Sequence, residues 1–140
     1  MTPSQVDLVQ SSFGQVAPIA DQAAALFYGR LFEIAPQVKE LFKADMAGQG
    51  RKLMGTLAVA VAGLSDLETI LPAVEGLARR HVAYGVEAAH YKPVGEALIW
   101  TLEQGLGDAF TPAVKAAWLS AYALLSTVMI SAAEAEVPAA

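Results

Sequence analysis

Cysteine is missing from the chain altogether, which removes disulfide staples, thiol nucleophiles and sulfur metal sites. Histidine occurs only twice, too few to assemble a zinc site when no cysteine can complete it. Charge is sparse, at 16% of residues, and its balance is acidic, with a formal net charge of −5. Such a surface repels a phosphate backbone. The nearest basic grouping, Arg51-Lys52 with Arg79-Arg80, is too thin to offset it, so no nucleic-acid partner is expected. Strict two-residue alternation, a glycine-rich phosphate loop and a strand–turn–helix nucleophile elbow are all lacking. Enzymes that rely on side chains alone are therefore poorly supported. The start, Met1-Thr2-Pro3-Ser4, has neither the basic residues nor the apolar run of a secretory leader. No membrane-spanning stretch is expected, and the expected compartment is the cytoplasm.

What the sequence does have is apolar surface. Hydrophobic residues fill 55% of the 140 positions, enough for burial to offset the cost of ordering one core. The expectation is an all-α domain over residues 1–140 with seven to eight helices. Thr2-Pro3 and Thr111-Pro112 have the cap-then-proline form of a helix start. A first helix is predicted over 3–16. A second, over 18–34, would place Ile19, Ala23, Phe27, Leu31 and Ile34 on one face. Pro36 opens a short helical piece ending near Phe42, and Lys43 to Gly48 reads as a loop. A helix over 49–63 follows, with Leu53, Leu57, Val61 and Leu64 as its stripe. Ser65 and Glu68 have capping-box spacing, and Pro72 is read as interrupting that helix and starting another that runs to Tyr84. Gly85 can take the left-handed conformation that ends it. Helices over 90–106 and 112–134 complete the chain, with a fraying tail.

The two histidines differ in setting. His81 lies on an apolar stripe with Leu77 and Val74 at successive turns before it. Its ring nitrogens need either a buried hydrogen bond or a metal. His90, at a helix start beside Tyr91, reads as a surface or capping residue. Tyr28 and Gln49 are polar groups on otherwise apolar helix faces, and Phe42 closes the short piece after Pro36.

As a set these residues resemble a globin. Phe27-Tyr28-Gly29-Arg30-Leu31-Phe32, then Pro36 and Leu41-Phe42, is similar to the second helix and corner of single-domain bacterial globins and of the globin half of flavohaemoglobins. Gln49-Gly50-Arg51-Lys52-Leu53-Met54 resembles the start of their distal helix, and neuroglobins have a related Arg-Lys run. Arg80-His81, Tyr84-Gly85-Val86, His90-Tyr91 and Val94-Gly95 resemble the proximal helix and the start of the next. Leu106-Gly107, Phe110-Thr111, Ala117-Trp118 and Tyr122 carry the likeness onward.

That resemblance implies haem b, iron protoporphyrin IX, with His81 as proximal iron ligand. Phe42 would pack on the haem face. Leu77, Val86, Tyr91 and Val94 would contact the cofactor from the proximal side, and Lys52 and Leu53 from the distal side. Tyr28 and Gln49 would donate hydrogen bonds to bound oxygen, with CO and NO as further ligands. Gly50 and Ala24 are small enough to let their helices cross closely. In the flavohaemoglobin group a tyrosine like Tyr91 joins the proximal histidine and a glutamate in a network. That glutamate position is Ala133 here, with Glu134 one residue on, so strong peroxidase-like activation is not implied. Slow oxygen release would suit nitric oxide dioxygenation better than bulk oxygen transport. Nitric oxide detoxification of that kind would need a separate reductase, since no flavin or nicotinamide domain is expected in the 140 residues. A haem-based gas or redox sensor and a haem-free interaction module are the competing readings. The family's members occur as monomers or homodimers.

Overall fold

The computed structural model describes residues 1–42, 46–83 and 85–136, with side chains through Ala133. Among these residues there are six α-helices: α1 Pro3–Val16, α2 Ala20–Ile34, α3 Met46–Ala62, α4 Leu67–Ala83, α5 Tyr91–Leu106 and α6 Pro112–Glu136. Single 3-10 pieces join them at Ala17–Ile19, Pro36–Leu41, Gly63–Ser65, Ala88–His90 and Gly107–Ala109. The expected seven to eight helices thus resolve into six, because the piece after Pro36 is too tight to be α-helical and Pro72 does not divide α4.

Local chemistry explains most boundaries. Thr2 Oγ1 accepts a hydrogen bond from the Gln5 amide, and Gln5 Oε1 accepts one from the Thr2 amide, both at 3.1 Å. This reciprocal cap, with Pro3 behind it, fixes the start of α1. Thr111 accepts from the Val114 amide at 3.2 Å and does the same for α6. Gly85, with φ of +92°, turns the chain out of α4 as expected. Tyr84, where that helix was expected to end, lies outside the described residues.

Three expectations need correction. Helix α3 begins at Met46 rather than Gln49, so Met46 to Gly48 are helical; the rest of the expected loop, 43–45, lies outside the described residues. Pro72 does not divide α4 but sits inside it. Its missing N–H would have served the carbonyl of Glu68, and both residues are exposed, so water can take that carbonyl's bond. Ser65 does not occupy the cap position of α4, which starts two residues later. Instead Ser65 Oγ accepts from Gln10 Nε2 at 2.8 Å, and the same amide donates to the Val61 carbonyl at 3.1 Å. A side chain of α1 thereby satisfies the end of α3.

The expectation about long apolar stretches also fails. From Ala116 to Ala133 no residue is charged, and α6 is long and apolar enough to cross a membrane by length and composition. In this fold one face of it packs in the core. Val114, Ala117, Trp118, Ala121 and Met129 are buried, and α6 packs chiefly on α1 and α4.

The core has two parts. The larger gathers Val9, Phe13 and Val16 of α1, the Ala23–Phe27–Leu31 face of α2, and Leu98 and Leu102 of α5. The predicted stripes are the faces that meet here, with Ile19, Ile34, Leu53 and Leu57 packed at the margin. Within it Trp118 Nε1 donates to Ser12 Oγ at 2.8 Å, joining α6 to α1. The smaller part, Ile70, Val74, Ala78 and Met129, lies between α4 and α6. The candidate site depends on residues that flank each part.

Candidate functional site

One end of α2 and the start of α3 form the first half of the site. Ala24 and Tyr28 lie one turn apart on α2, so a helix that crosses at Ala24 runs beside Tyr28. That crossing is close: a Cβ added to Gly50 would sit 2.9 Å from Ala24 Cβ. The small pair expected from the sequence is therefore where the helices meet. Gln49, next to Gly50, comes near enough to the Tyr28 side chain to influence its phenol. Burial raises the Tyr28 pKa above the usual phenol value, and the nearby Gln49 side chain partly counters it. Phe42 stands edge-on to Tyr28 with ring centres 5.2 Å apart, and Phe32 completes the group at 5.6 Å from Phe42 and 6.0 Å from Tyr28. Aromatic edges thus hold the phenol without competing for its hydroxyl.

Leu53, one turn beyond Gln49, borders a small cavity of about 20 Å³. Phe13, Phe27, Leu98 and Trp118 are among its other walls. The polar member of the lining, Thr101, spends its hydroxyl on the Ala97 carbonyl at 2.8 Å. The space suits one small apolar molecule.

The second half is the end of α4. His81 is half-buried, and its Nδ1 lies 2.8 Å from the Leu77 carbonyl. A carbonyl only accepts, so Nδ1 carries the proton and Nε2 keeps its lone pair. Among the described residues Nε2 has no hydrogen-bond partner. Burial lowers the His81 pKa, the Leu77 bond opposes this, and nearby Arg80 lowers it further. The net effect favours neutral imidazole, the form that binds metals. Leu77 packs on the Ile70–Val74–Ala78–Met129 cluster, as does the Tyr91 ring from the start of α5. The Val86 amide bonds the His81 carbonyl at 2.9 Å, which anchors the turn after the helix. Leu41 lies 3.5 Å from where a Gly85 Cβ would stand, so the end of α4 reaches the corner that carries Phe42.

The remaining expected residues fall into place unevenly. Val94 is packed at the margin of the main core, and Lys52 is exposed. His90 caps rather than binds, with Nδ1 accepting from the Glu87 amide at 2.9 Å. Tyr91 Oη is buried and has no hydrogen-bond partner among the described residues. Ala133 offers it nothing, and the Glu134 side chain lies outside the described residues. Sequence reasoning gave Tyr122 no role. In the fold it sits against Gly95 and donates to the Tyr91 carbonyl at 2.5 Å. Only the small residue at 95, four positions after Tyr91, hinted at that contact.

Burial raises the pKa of Tyr28, Tyr91 and Tyr122, most strongly for Tyr122, where nearby Tyr91 adds to the effect. The folded state therefore holds these protons more tightly than the unfolded chain. Their stabilising effect is complete below about pH 10, the unfolded value, and is lost as pH rises above it. Phenolate absorbance from these three should thus appear together with loss of helical circular dichroism. Their ionisation in a still-folded protein near pH 10 would contradict the burial described here.

The globin family model matches residues 25–129. The chain belongs to the globin family. It is also similar to three proteins named flavohemoprotein. That of Vibrio cholerae serotype O1 is 29% identical over 93% of this chain and 34% of its own length. The Rhodopirellula baltica protein is 30% identical over 93% of this chain and 33% of its own length. The Bordetella parapertussis protein is 35% identical over 74% of this chain and 27% of its own length. The chain spans about a third or less of the length of these relatives.

Proposed function

We propose that this globin binds haem through His81 and reversibly binds oxygen and related diatomic gases beside Tyr28 and Gln49. The observation that carries the reading is the His81 ring. Its Nδ1–H is committed to the Leu77 carbonyl, while Nε2 keeps a lone pair and has no partner among the described residues. That is the tautomer and orientation a histidine needs to bind a metal, with the backbone carbonyl in the supporting role. Haem would supply an iron with one coordination position for a small ligand.

This chain's side chains would do the rest. Tyr28 and Gln49 lie near each other, so both donors could turn to a polar ligand between their helices. Phe42 and Leu53 would keep water from that ligand, and Lys52 at the exposed rim would meet a propionate. Leu77, Val86, Tyr91 and Val94 would wall the proximal side.

The test is the absorption spectrum of the haem-loaded protein in ferric, reduced and carbon-monoxide-bound forms, beside His81→Ala. We expect a Soret band that shifts on reduction and again on carbon monoxide, and that is lost or altered in the variant. Failure of a folded, helical protein to take up stoichiometric haem would favour the haem-free module.

Nitric oxide dioxygenation is the second reading, favoured by two donors able to retain a polar ligand and by the likeness to flavohemoproteins. Its steady operation needs an electron donor. These residues contain no thiol couple to provide one, so a reductase outside this globin unit would be the partner. Histidine bonded to a carbonyl rather than a carboxylate also argues for ligand retention over peroxide cleavage.

A further inference from the structure

The turn between α4 and α5 is held by the amides of two adjacent residues. The Val86 amide bonds the His81 carbonyl at 2.9 Å. The next amide, that of Glu87, donates to His90 Nδ1, also at 2.9 Å. The Glu87 side chain in return accepts from the His90 amide, which closes a reciprocal capping box ahead of α5. In the usual box the residue three places on is glutamate or glutamine, and a side-chain oxygen is the acceptor. Here the acceptor is a ring nitrogen, whose lone pair a proton can take. Neutral imidazole has one N–H and one lone pair, whereas imidazolium has two N–H groups and no lone pair. Whichever way a protonated ring turned, it would offer the Glu87 amide no acceptor. Glu87 is exposed and His90 half-buried, so solvent protons can reach the ring.

We propose that the Glu87–His90 pair is an acid-sensitive latch: protonating His90 releases the Glu87 amide and loosens the turn that ties Val86 to His81. An imidazole takes up its second proton at about pH 6.5. The bond is therefore present above that range and is lost as pH falls through it. The 3-10 piece Ala88–His90 packs on α5. Among the described residues the titratable groups around the ring are Glu87, Tyr91 and Lys92 on the first turn of α5, and Tyr122 of α6, whose hydroxyl bonds the Tyr91 carbonyl. The Glu87 carboxylate favours a charge on the ring and the Lys92 ammonium opposes it, so neither removes the switch. Val86 and Glu87 are chain neighbours, so freeing the Glu87 amide weakens the hold of Val86 on the His81 carbonyl. The consequence for an iron ligand rests on the haem reading above; the latch itself does not.

The experiment compares the parent with His90→Gln, which keeps a capping-box acceptor that cannot be protonated in this range, and with His90→Ala, which has none. Amide exchange is followed by NMR in the full chain, as its diamagnetic ferrous carbon-monoxide form, and corrected for the intrinsic pH dependence of exchange. Between about pH 7.5 and about pH 5.5, protection of the Glu87 and Val86 amides should fall about fivefold in the parent, the worth of one hydrogen bond. It should stay high in His90→Gln and low at both pH values in His90→Ala. An equal fall in His90→Gln, or no fall in the parent, would overturn the latch. A fall at Glu87 with Val86 unmoved would overturn the loosening of the turn. In the ferrous protein without carbon monoxide, the iron–histidine stretching band seen by resonance Raman should broaden at the lower pH in the parent and not in His90→Gln. A band equally sharp in both would overturn the reach of the latch to His81. A parent that takes up no haem would instead defeat the haem reading, and exchange in the protein as purified would then decide the latch alone.

Discussion

Replacing Tyr28 with phenylalanine is expected to raise the oxygen dissociation rate by about tenfold to a hundredfold, while carbon monoxide dissociation changes little. The argument starts from burial. Tyr28 is 7% exposed, ringed by Phe27, Phe32 and Phe42, and Gln49 lies near its side chain. A donor held this way loses little freedom when it turns to a ligand, so most of its bond survives as affinity. A hydrogen bond to a charged or strongly polarised acceptor is worth about 1.5–3 kcal/mol, which sets the range. Carbon monoxide is less polar and gains less from the same donor, which makes it the internal control. Stopped-flow ligand replacement measures both rates. An oxygen off-rate in Tyr28→Phe equal to the parent's would show that the phenol does not face the ligand.

The second large effect concerns a residue that touches no ligand. Gly50→Val should destabilise the protein by about 1–3 kcal/mol, the usual cost of overpacking, although valine is a better helix former than glycine. The opposing atom is Ala24 Cβ, 2.9 Å from where even a single added carbon would lie. It is fixed to the α2 backbone and cannot rotate aside. Helix α3 would have to move off α2, taking Gln49 with it, so the oxygen off-rate should rise as in Tyr28→Phe. Ala24→Gly alone should cost about 1 kcal/mol, yet the double variant should be more stable than the sum of the two losses predicts. Chemical denaturation of the four proteins measures the coupling. Strict additivity would mean that the helices do not meet at this pair.

How far the sequence carried these arguments varied with the kind of interaction involved. Capping of α1 at Thr2 was legible because its partner is three residues away, and the Gly85 turn because one residue type suits it. The α2 stripe could be read from periodicity, and the resemblance to globins singled out Tyr28, Gln49, Phe42 and His81 as one set. Pro72 misled because a proline's cost depends on whether the carbonyl it orphans can reach water, a property of the folded surface. Ser65 misled because its spacing to Glu68 was right, but Gln10, 55 residues away, claimed its hydroxyl. The uncharged run of α6 was overlooked, and hydropathy alone would not have told a core helix from a membrane span. Tyr122 stayed silent for a related reason: its partner is a backbone carbonyl on another helix, and backbone atoms leave no mark in a sequence.

The bond between Trp118 and Ser12 spans 106 positions, and it has a bearing on how the protein is made. Helix α1 leaves the ribosome long before α6, yet α6 is a chief packing partner of its apolar face. During synthesis Val9, Phe13 and Val16 must wait, partly uncovered, for residues translated much later. The last helix is thus the one that closes the core, and shortening it should trap nascent chains in a collapsed, adhesive form rather than yield a smaller native protein.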